Sequence, residues 1–569
     1  MRRFLTICLI LCATLAARAQ SPDPTFVQLA ERYVEEWLSL SPEAATSLGE
    51  HRFDGRLTDY SPAGIARSRE LASRYLEQLK GIDPGQLSIE NQVDYEIMKT
   101  SLEYSLFSLD KLQEHLWNPL TYNPGAALYA LMARDYAPLP ERVESLAQRL
   151  DAIETLLQQA RQNLENPPRI HTETAIAQNK GALSFVEHEI DTFLNGDSAL
   201  TARLAPHRQK AAAALKSYGD WLEQDLLPRS NRDFRLGDAL YRQKLRFALE
   251  SDLSKEEILK RAEAELKLTH QEMARTARPL YERYFPGKPV PADRVLIKAV
   301  LDRLAQDRPD NDTIVAQATR DLEETTSFVR EHQLVSVPDD PLQVMVMPEF
   351  ARGVAVAYCD SSGPLEKKPS TFYAISPTPT DWKKERVESF FREYNDSMLK
   401  NLTVHEAMPG HYLQIAHANR FQAPTRVRVI TMSGTFVEGW ATYAEQVMVQ
   451  AGYGGPEVKM QQLKMRLRLI INSILDQKVH TASMTEAEAL KLMMEDGFQE
   501  EGEAAGKWRR ACLSSTQLST YFVGNLELND IARAYQARNP GKVDLKAMHD
   551  RMLSFGSPAP KFVKRLMGL

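Results

Sequence analysis

The chain is poor in cysteine, with four among its 569 residues. Cys8 and Cys12 lie in the first segment, and only Cys359 and Cys512 follow it. Two cysteines cannot form a disulfide framework, so a hydrophobic core has to supply the stability. The two could pair in an oxidising compartment, but two separate buried thiols are the more usual arrangement.

The chain also lacks an excess of positive charge and, after its first segment, a long apolar run. Its formal net charge of −6 excludes the basic surface typical of a nucleic-acid-binding protein. No later stretch approaches the roughly eighteen apolar residues of a transmembrane helix, so we expect no membrane span in the mature chain. The content of charged residues, 26%, and of hydrophobic residues, 43%, is ordinary for a soluble globular protein.

The first residues have the features of a secretory signal peptide. A basic start is followed by an apolar run over residues 4–17 and by an A-x-A cleavage site that ends at Ala19. Cys8 and Cys12 lack the small residues that precede a lipoprotein cysteine, so lipidation is not expected. We predict a signal peptide over residues 1–19 and an exported protein, periplasmic if the host has two membranes.

Helical periodicity dominates the rest of the chain. The stretch from Phe26 to Leu40, for example, places its large apolar residues on one stripe and its charges opposite. Near residue 336 the pattern changes to β-rich segments separated by turn residues, which predict a small, mainly antiparallel sheet over 342–376. Helical periodicity returns at Asp381 and holds to the C-terminus.

These patterns predict a mostly α fold, a large two-lobed helical array with a small antiparallel sheet next to the active-site helix. An N-terminal helical region is expected over 20–335 and a catalytic region over 336–569, joined in one integrated fold. The length suffices for one large or two moderate domains. The oligomeric state cannot be derived from these patterns.

The segment TVHEAMPGHYLQ, residues 403–414, has the residue types of a zinc peptidase with a different spacing. In the H-E-x-x-H motif, four residues turn a helix by about 400°, so both histidines share a face. Here His405 and His411 are six apart, which leaves them about 120° apart on an ideal helix. Pro409 and Gly410 between them predict a distortion, with the helix regular to about Met408, that brings His411 back toward His405. The alternative is two surface histidines flanking a helix break.

A third ligand distinguishes these alternatives. Glu438, 27 residues after His411, lies among apolar and aromatic residues of an amphipathic helix. A buried charge is normally paired or bound to a metal, so Glu438 is the candidate third ligand, with a salt bridge as the alternative. Glu445, seven residues later on the same face, is expected to be a structural acid or to support a ligand.

The chain resembles a bacterial family catalogued as domain of unknown function eight-eight-five, whose signature is matched by HEAMPGHYLQ followed by EGWATYAEQ. The resemblance covers most of the mature chain. The family is similar, more distantly, to helical gluzincins such as thimet oligopeptidase, carboxypeptidase Taq and angiotensin-converting enzyme. The resemblance implies Zn²⁺ held by His405, His411 and Glu438, with Glu406 as general base. The two extra residues inside the gluzincin motif are shared by the family.

Other residues are weaker candidates for a role at the site. Tyr521 could donate to the oxyanion, as Tyr and His residues do in the gluzincins that the chain resembles. Arg509 and Arg510 could bind a substrate carboxylate through their bidentate fork, although a solvated face is the alternative. Tyr358 and Tyr373, in the predicted sheet, could contact the peptide backbone.

Two further histidines are candidates with less support. His480 follows Asp476 by four residues, and this pair could orient a ligand or contact substrate. His417 has less support still and would become a ligand only if His411 pointed away. A lone histidine on a helix more often serves packing or lies on the surface.

The leading prediction is an exported zinc metallopeptidase that hydrolyses short peptides with a zinc-activated water. A di-iron carboxylate enzyme would need Glu-x-x-His pairs, and none of the twelve histidines has an acidic residue three positions before it. The remaining alternative is a non-catalytic periplasmic peptide-binding or scaffold protein with a relict metal site. Such a binder has no need for Glu406 beside a metal-ligating histidine.

Overall fold

The computed structural model describes residues 23–347, 356–380, 382–541 and 543–569. Helices dominate these residues, which confirms the predicted mostly α fold. In chain order, α1 to α25 span Asp23–Leu40, Pro42–Leu48, Pro62–Leu79, Ile89–Phe107, Glu114–Trp117, Gly125–Met132, Leu139–Asn163, Arg169–Ser184, Ile190–Phe193, Ser198–Trp221, Asp238–Leu249, Lys255–Tyr284, Asp293–Leu304, Ile314–Glu331, Lys384–Glu393, Asp396–Glu406, His411–Arg420, Val427–Ile430, Gly434–Gln450, Gly455–Thr481, Glu486–Lys491, Glu501–Leu513, Ser519–Arg538, Leu545–Leu553 and Pro560–Leu566. The predicted signal peptide, residues 1–19, lies outside the described residues, as do Asp381 and residues 348–355 of the predicted sheet region.

The sheet has three strands, β1 (Leu342–Val346), β2 (Ala357–Ser361) and β3 (Thr371–Ile375), in the order β1-β3-β2. β2 pairs with β3 in the antiparallel sense, but β1 pairs with β3 in parallel. The predicted antiparallel sheet is therefore a mixed one. The sequence could not show this, because side chains alternate in the same way along parallel and antiparallel strands.

The largest hydrophobic core joins the two regions that the sequence predicts. Phe26 and Tyr33 of α1 belong to the same buried cluster as Phe436 of α19 and Phe562 of α25. A second cluster is formed by residues between 122 and 226, all from the predicted N-terminal region. The predicted boundary at residue 335 therefore crosses one shared core.

Helices α19 and α23 run side by side in the same direction and approach each other closely. The contacts between them advance together along both helices: Gly439 lies against Gly524, and Gln446 hydrogen-bonds to Asn529. A Cβ at Gly439 would lie 2.6 Å from the main chain of Gly524. Glycine at this position is what allows the two backbones to come together.

Within the part of the chain that the structure describes, no helix combines the length and the apolarity that a membrane span requires.

Replacing Gly439 by Ala should destabilise the fold, because the new methyl group has to push the backbone of α23 away. Overpacking of this kind costs about 1–3 kcal/mol, and it should lower the midpoint of urea unfolding. Gly506→Ala in α22 is the matched control, since a Cβ there meets nothing within 4 Å, and it should leave the midpoint unchanged or raise it slightly. Equal midpoints for both variants would show that the α19–α23 contact is not tight.

Candidate metal centre

The histidines of the TVHEAMPGHYLQ segment lie on two helices. α16 ends at Glu406, and α17 begins at His411. The N–H groups of Ala407 and Met408 both donate to the carbonyl of Thr403, at 3.0 and 3.1 Å. The predicted distortion is present, but the helix ends two residues earlier than expected, because the backbone leaves the helical conformation at Ala407 (φ −124°, ψ −77°).

The turn between the two helices is tightly packed. The Met408–Pro409 peptide bond is cis. A Cβ at Gly410 would lie 1.9 Å from the carbonyl oxygen of His405, so only glycine allows this approach. Trp440 Nε1 donates to the carbonyl of Pro409 at 2.8 Å and ties the turn to α19. The turn and α19 therefore hold a fixed relation to each other.

Three side chains converge beside this turn. His405 Nε2 and His411 Nε2 lie 3.8 and 3.4 Å from the same oxygen, Oε2 of Glu438 on α19. The imidazole centroids are 4.8 Å apart and the rings nearly perpendicular. Each residue offers one ligand atom, and these three atoms all lie within 4.8 Å of one another. The three residues could therefore hold one metal ion.

The chemistry of these three residues fits zinc. Glu438 Oε2 is buried and accepts no hydrogen bond from any described residue, as expected of an oxygen reserved for another partner. Two ligands about 2.0–2.1 Å from a tetrahedral zinc lie about 3.3 Å apart, close to the 3.4 and 3.8 Å between Glu438 Oε2 and the two histidine nitrogens. Two His and one Glu also leave a fourth position open, as in catalytic zinc sites.

Glu445, about two turns beyond Glu438 on α19, orients His405. Its Oε1 lies 2.7 Å from His405 Nδ1, and its Oε2 accepts from Asn401 Nδ2 at 2.8 Å. A proton on Nδ1 leaves Nε2 with the lone pair that a metal requires. Glu445 is the supporting acid that the sequence predicts at this position, and Asn401 is a further support that sequence analysis did not identify.

The charges of the cluster shift one another's pKa values in the metal-free protein. Burial lowers the pKa of His405, but the nearby carboxylates of Glu438 and Glu445 outweigh it, so that this pKa lies well above its usual value. Burial raises the pKa of Glu438, yet His405 and His411 more than offset this and hold it far below its usual range. In the metal-free protein, the positive charge on His405 and the negative charge on Glu438 thus balance each other. A metal cation could take the place of the His405 proton.

Glu406 lies next to the cluster and is held by the sheet. Its Oε2 accepts from the N–H of Cys359 in β2 at 3.1 Å. Burial raises the pKa of Glu406, and the charge of Glu438 adds to this, although His405 and His411 act in the opposite direction.

Cys359 and Cys512 are both free thiols, so they do not pair.

Tyr373, predicted to contact peptide, lies behind the site. It is fully buried, and its hydroxyl lies 2.9 Å from Thr403 Oγ1. Thr403 is the residue whose carbonyl receives the two N–H groups at the end of α16. Tyr373 thus supports the helix that carries His405 and has no surface to offer a substrate, whereas Tyr358 in β2 is only half-buried.

Tyr521 lies on α23, which packs against α19, and its neighbour is Arg510. The Tyr521 hydroxyl accepts from Arg510 Nη2 at 3.1 Å and from Gln517 Nε2 at 3.4 Å. Burial raises its pKa to about 12, and the charge of Glu438 contributes to this shift. Arg509, the other arginine that the sequence suggested for a substrate carboxylate, instead donates to Thr174 Oγ1 of α8. The helical period places Arg510 on the face of Lys507, a signal that could have distinguished the two arginines.

The other predicted residues have contacts of their own. Asp476 accepts hydrogen bonds from Tyr241, Ser519 and the N–H of Thr516. His480 contacts the carbonyls of Ala511 and Ser514, and His417 that of Ser336. The contacts of Asp476 connect α20 with α11 and the start of α23, and none of the contacts of these three residues includes a candidate ligand.

The fold and the cluster define a helical protein with a candidate metal centre of two histidines and one glutamate, and solved structures share the fold. A candidate lipoprotein of unknown function from Shewanella oneidensis is 31% identical, with a TM-score of 0.80, and the match covers 96% of this chain and all of that one. A candidate lipoprotein from Colwellia psychrerythraea has a TM-score of 0.79 at 18% identity, with 96% and 99% of the two chains covered. A comparison with curated proteins gave no match. The chain belongs to the family described as bacterial protein of unknown function (DUF885), which matches residues 42–567.

Glu445→Gln should weaken metal binding about 10- to 100-fold, the usual cost of losing the group that orients a ligating histidine. A chelator competition titration would measure the affinity. Glu501→Gln on the exposed start of α22 is the control and should bind as the unmodified protein does. Unchanged affinity in Glu445→Gln would mean that His405 is not a ligand or needs no orientation.

Proposed function

We propose that this protein is a zinc-dependent peptidase that acts on short peptides outside the cytoplasm. The observation that carries the proposal is the convergence of His405, His411 and Glu438 with the carboxylate of Glu406 beside them. A metal site that served structure alone would have four protein ligands and no use for an adjacent acid. Three ligands and a neighbouring carboxylate are the arrangement of a hydrolytic site.

Each residue has a task that follows from its surroundings. When bound, zinc supplies a Lewis acid that polarises the scissile carbonyl and makes water more acidic. Glu406 accepts the proton of the attacking water on its carboxylate and passes it to the leaving amine. The N–H of Cys359 fixes one oxygen of that carboxylate, and burial raises the Glu406 pKa, the direction that suits a group which has to hold a proton.

Tyr521 is the residue proposed to stabilise the oxyanion. Its hydroxyl oxygen accepts two hydrogen bonds, from Arg510 and Gln517, while its own hydrogen has no acceptor among the described residues. A hydroxyl that is polarised by a guanidinium and free to donate is suited to a developing negative charge. The raised pKa of Tyr521 keeps this proton in place at neutral pH.

The edge of β2 is proposed to align the peptide. The N–H of Cys359 points away from β3 toward Glu406, and backbone groups alternate along a strand. The main-chain groups of Ala357 and Ser361 therefore point to the same edge, which no described strand covers. An extended peptide that added to this edge would have its backbone beside the proposed general base.

The location follows from the first segment and from the relatives. Residues 1–19 have the pattern of a secretory signal peptide, and the two similar structures are those of candidate lipoproteins. Both observations support export, with the periplasm as the proposed compartment.

The purified mature protein should contain about one zinc ion per chain, because three ligands and one open position suit this metal. Metal analysis after expression in zinc-supplemented medium measures the ratio, and removal of zinc by a chelator should abolish peptide hydrolysis until zinc is added back. His411→Ala should lose the metal. Stoichiometric iron without zinc, or no metal at all, would contradict the assignment.

Glu406→Gln should retain zinc and lose turnover, because the amide keeps the shape of the side chain but cannot accept a proton. Loss of a general base lowers the rate by about 10²–10⁴-fold, which kcat on a short-peptide substrate would reveal. A variant that binds and releases intact peptide while the unmodified protein cleaves it would identify Glu406 as the base. Near-normal turnover would exclude that role, and loss of the metal would make Glu406 a ligand.

A further inference from the structure

Helix α22 presents two cationic side chains on one face. Lys507 and Arg510 are three residues apart, a spacing that places them next to each other on a helix. Lys507 is buried, and its nearest carboxylate, that of Glu503, lies 3.9 Å away. Arg510 is exposed and forms no ion pair with any described residue. The face thus has more positive charge than the neighbouring acids neutralise.

The hydrogen bonds of Arg510 leave most of its guanidinium free. Nη2 donates both to Gln517 Oε1, at 2.7 Å, and to the Tyr521 hydroxyl, at 3.1 Å. Nε and Nη1 have no acceptor in the described part of the chain. The two partners are neutral and hold the guanidinium plane in place, so an oriented cation with unused donors faces solvent. Such an arginine binds a carboxylate well, because its side chain is already ordered and loses little conformational entropy on binding.

The close contact between α19 and α23 places this cation beside the metal centre. The two helices touch where Gly439 of α19 meets Gly524 of α23. Glu438 directly precedes Gly439, and Tyr521 lies about one helical turn before Gly524. Both side chains therefore lie on the same side of the helix pair. The charge of Glu438 contributes to the pKa values of Tyr521, Lys507 and Arg510. The cationic face of α22 and the three candidate ligands therefore border the same space.

We propose that Arg510, held by Gln517 and Tyr521 and supported by Lys507, binds the free α-carboxylate of a peptide substrate. The protein would then remove residues from the C-terminal end of short peptides. The inference rests on the proposed peptidase function and adds its substrate class. Even with a zinc dication bound, the three carboxylates of Glu406, Glu438 and Glu445 leave an excess of one negative charge, which disfavours a peptide carboxylate unless a cation is placed to receive it.

Paired peptides test this directly. An N-acetylated tetrapeptide of alanine and phenylalanine would be used as the free acid and as the C-terminal amide, which differ only in the group that Arg510 is proposed to bind. Binding to zinc-loaded Glu406→Gln protein, measured by calorimetry, should favour the acid by about 10- to 100-fold, the range of a charge-assisted hydrogen-bonded pair. With cleaving protein, the preference should appear mainly in KM.

Variants of the two adjacent arginines provide the control. Arg510→Ala should remove the preference for the acid in both the binding and the KM measurement, and Arg510→Lys should restore part of it. Arg509→Ala changes the neighbouring exposed arginine, which contacts Thr174, and should keep the full preference. Circular dichroism of all variants would establish that they are folded.

The outcomes separate this inference from the proposed function. Equal affinity for acid and amide, or an equal loss for both in Arg510→Ala, would overturn the carboxylate subsite and leave Arg510 as a positioning residue for Tyr521. Failure of the free acid to bind would also overturn it. Binding that depends on Arg510, with no cleavage by the zinc-loaded unmodified protein, would keep the subsite and reject the peptidase.

Discussion

The candidate site depends on one steric constraint, the contact between Gly410 and the carbonyl of His405. Because Gly410 has no Cβ, the start of α17 can lie directly on the end of α16. This contact turns two histidines that are six residues apart toward the same oxygen of Glu438. The Trp440 hydrogen bond to Pro409 connects the same turn to the helix of Glu438. The single packed turn between α16 and α17 thus sets the relative positions of all three candidate ligands.

Three acidic side chains lie around this turn, where burial makes each negative charge unfavourable. Glu406 accepts from the N–H of Cys359, Glu438 lies beside the two histidines, and Glu445 contacts His405 and Asn401. Burying carboxylates at this density is unfavourable unless every charge is compensated. Folding of this region is therefore costly, and the packing of the surrounding helices has to offset that cost.

Sequence patterns predicted the helical fold and the candidate ligands because each leaves a local signature. Glu438 was identifiable as a glutamate among apolar residues, and Glu445 by its place on the same helical face. The place where α16 ends was misjudged, because Pro409 indicates where a helix cannot continue, while the backbone leaves the helix earlier, at Ala407. The strand direction of β1 depends on contacts between segments far apart in the chain, which no local pattern records.

The core that surrounds the site joins the two ends of the chain. Phe26 in the first helix and Phe562 in the last lie in one cluster, and Arg428 pairs with Asp94 across the same junction at 2.5 Å. Contacts between residues so distant in sequence form slowly, because the chain has to close a very large loop before it gains them. The core therefore cannot be completed until the last helix has been synthesised. The candidate ligands lie within this core, so His405, His411 and Glu438 cannot take up their final positions until the whole chain is available to fold.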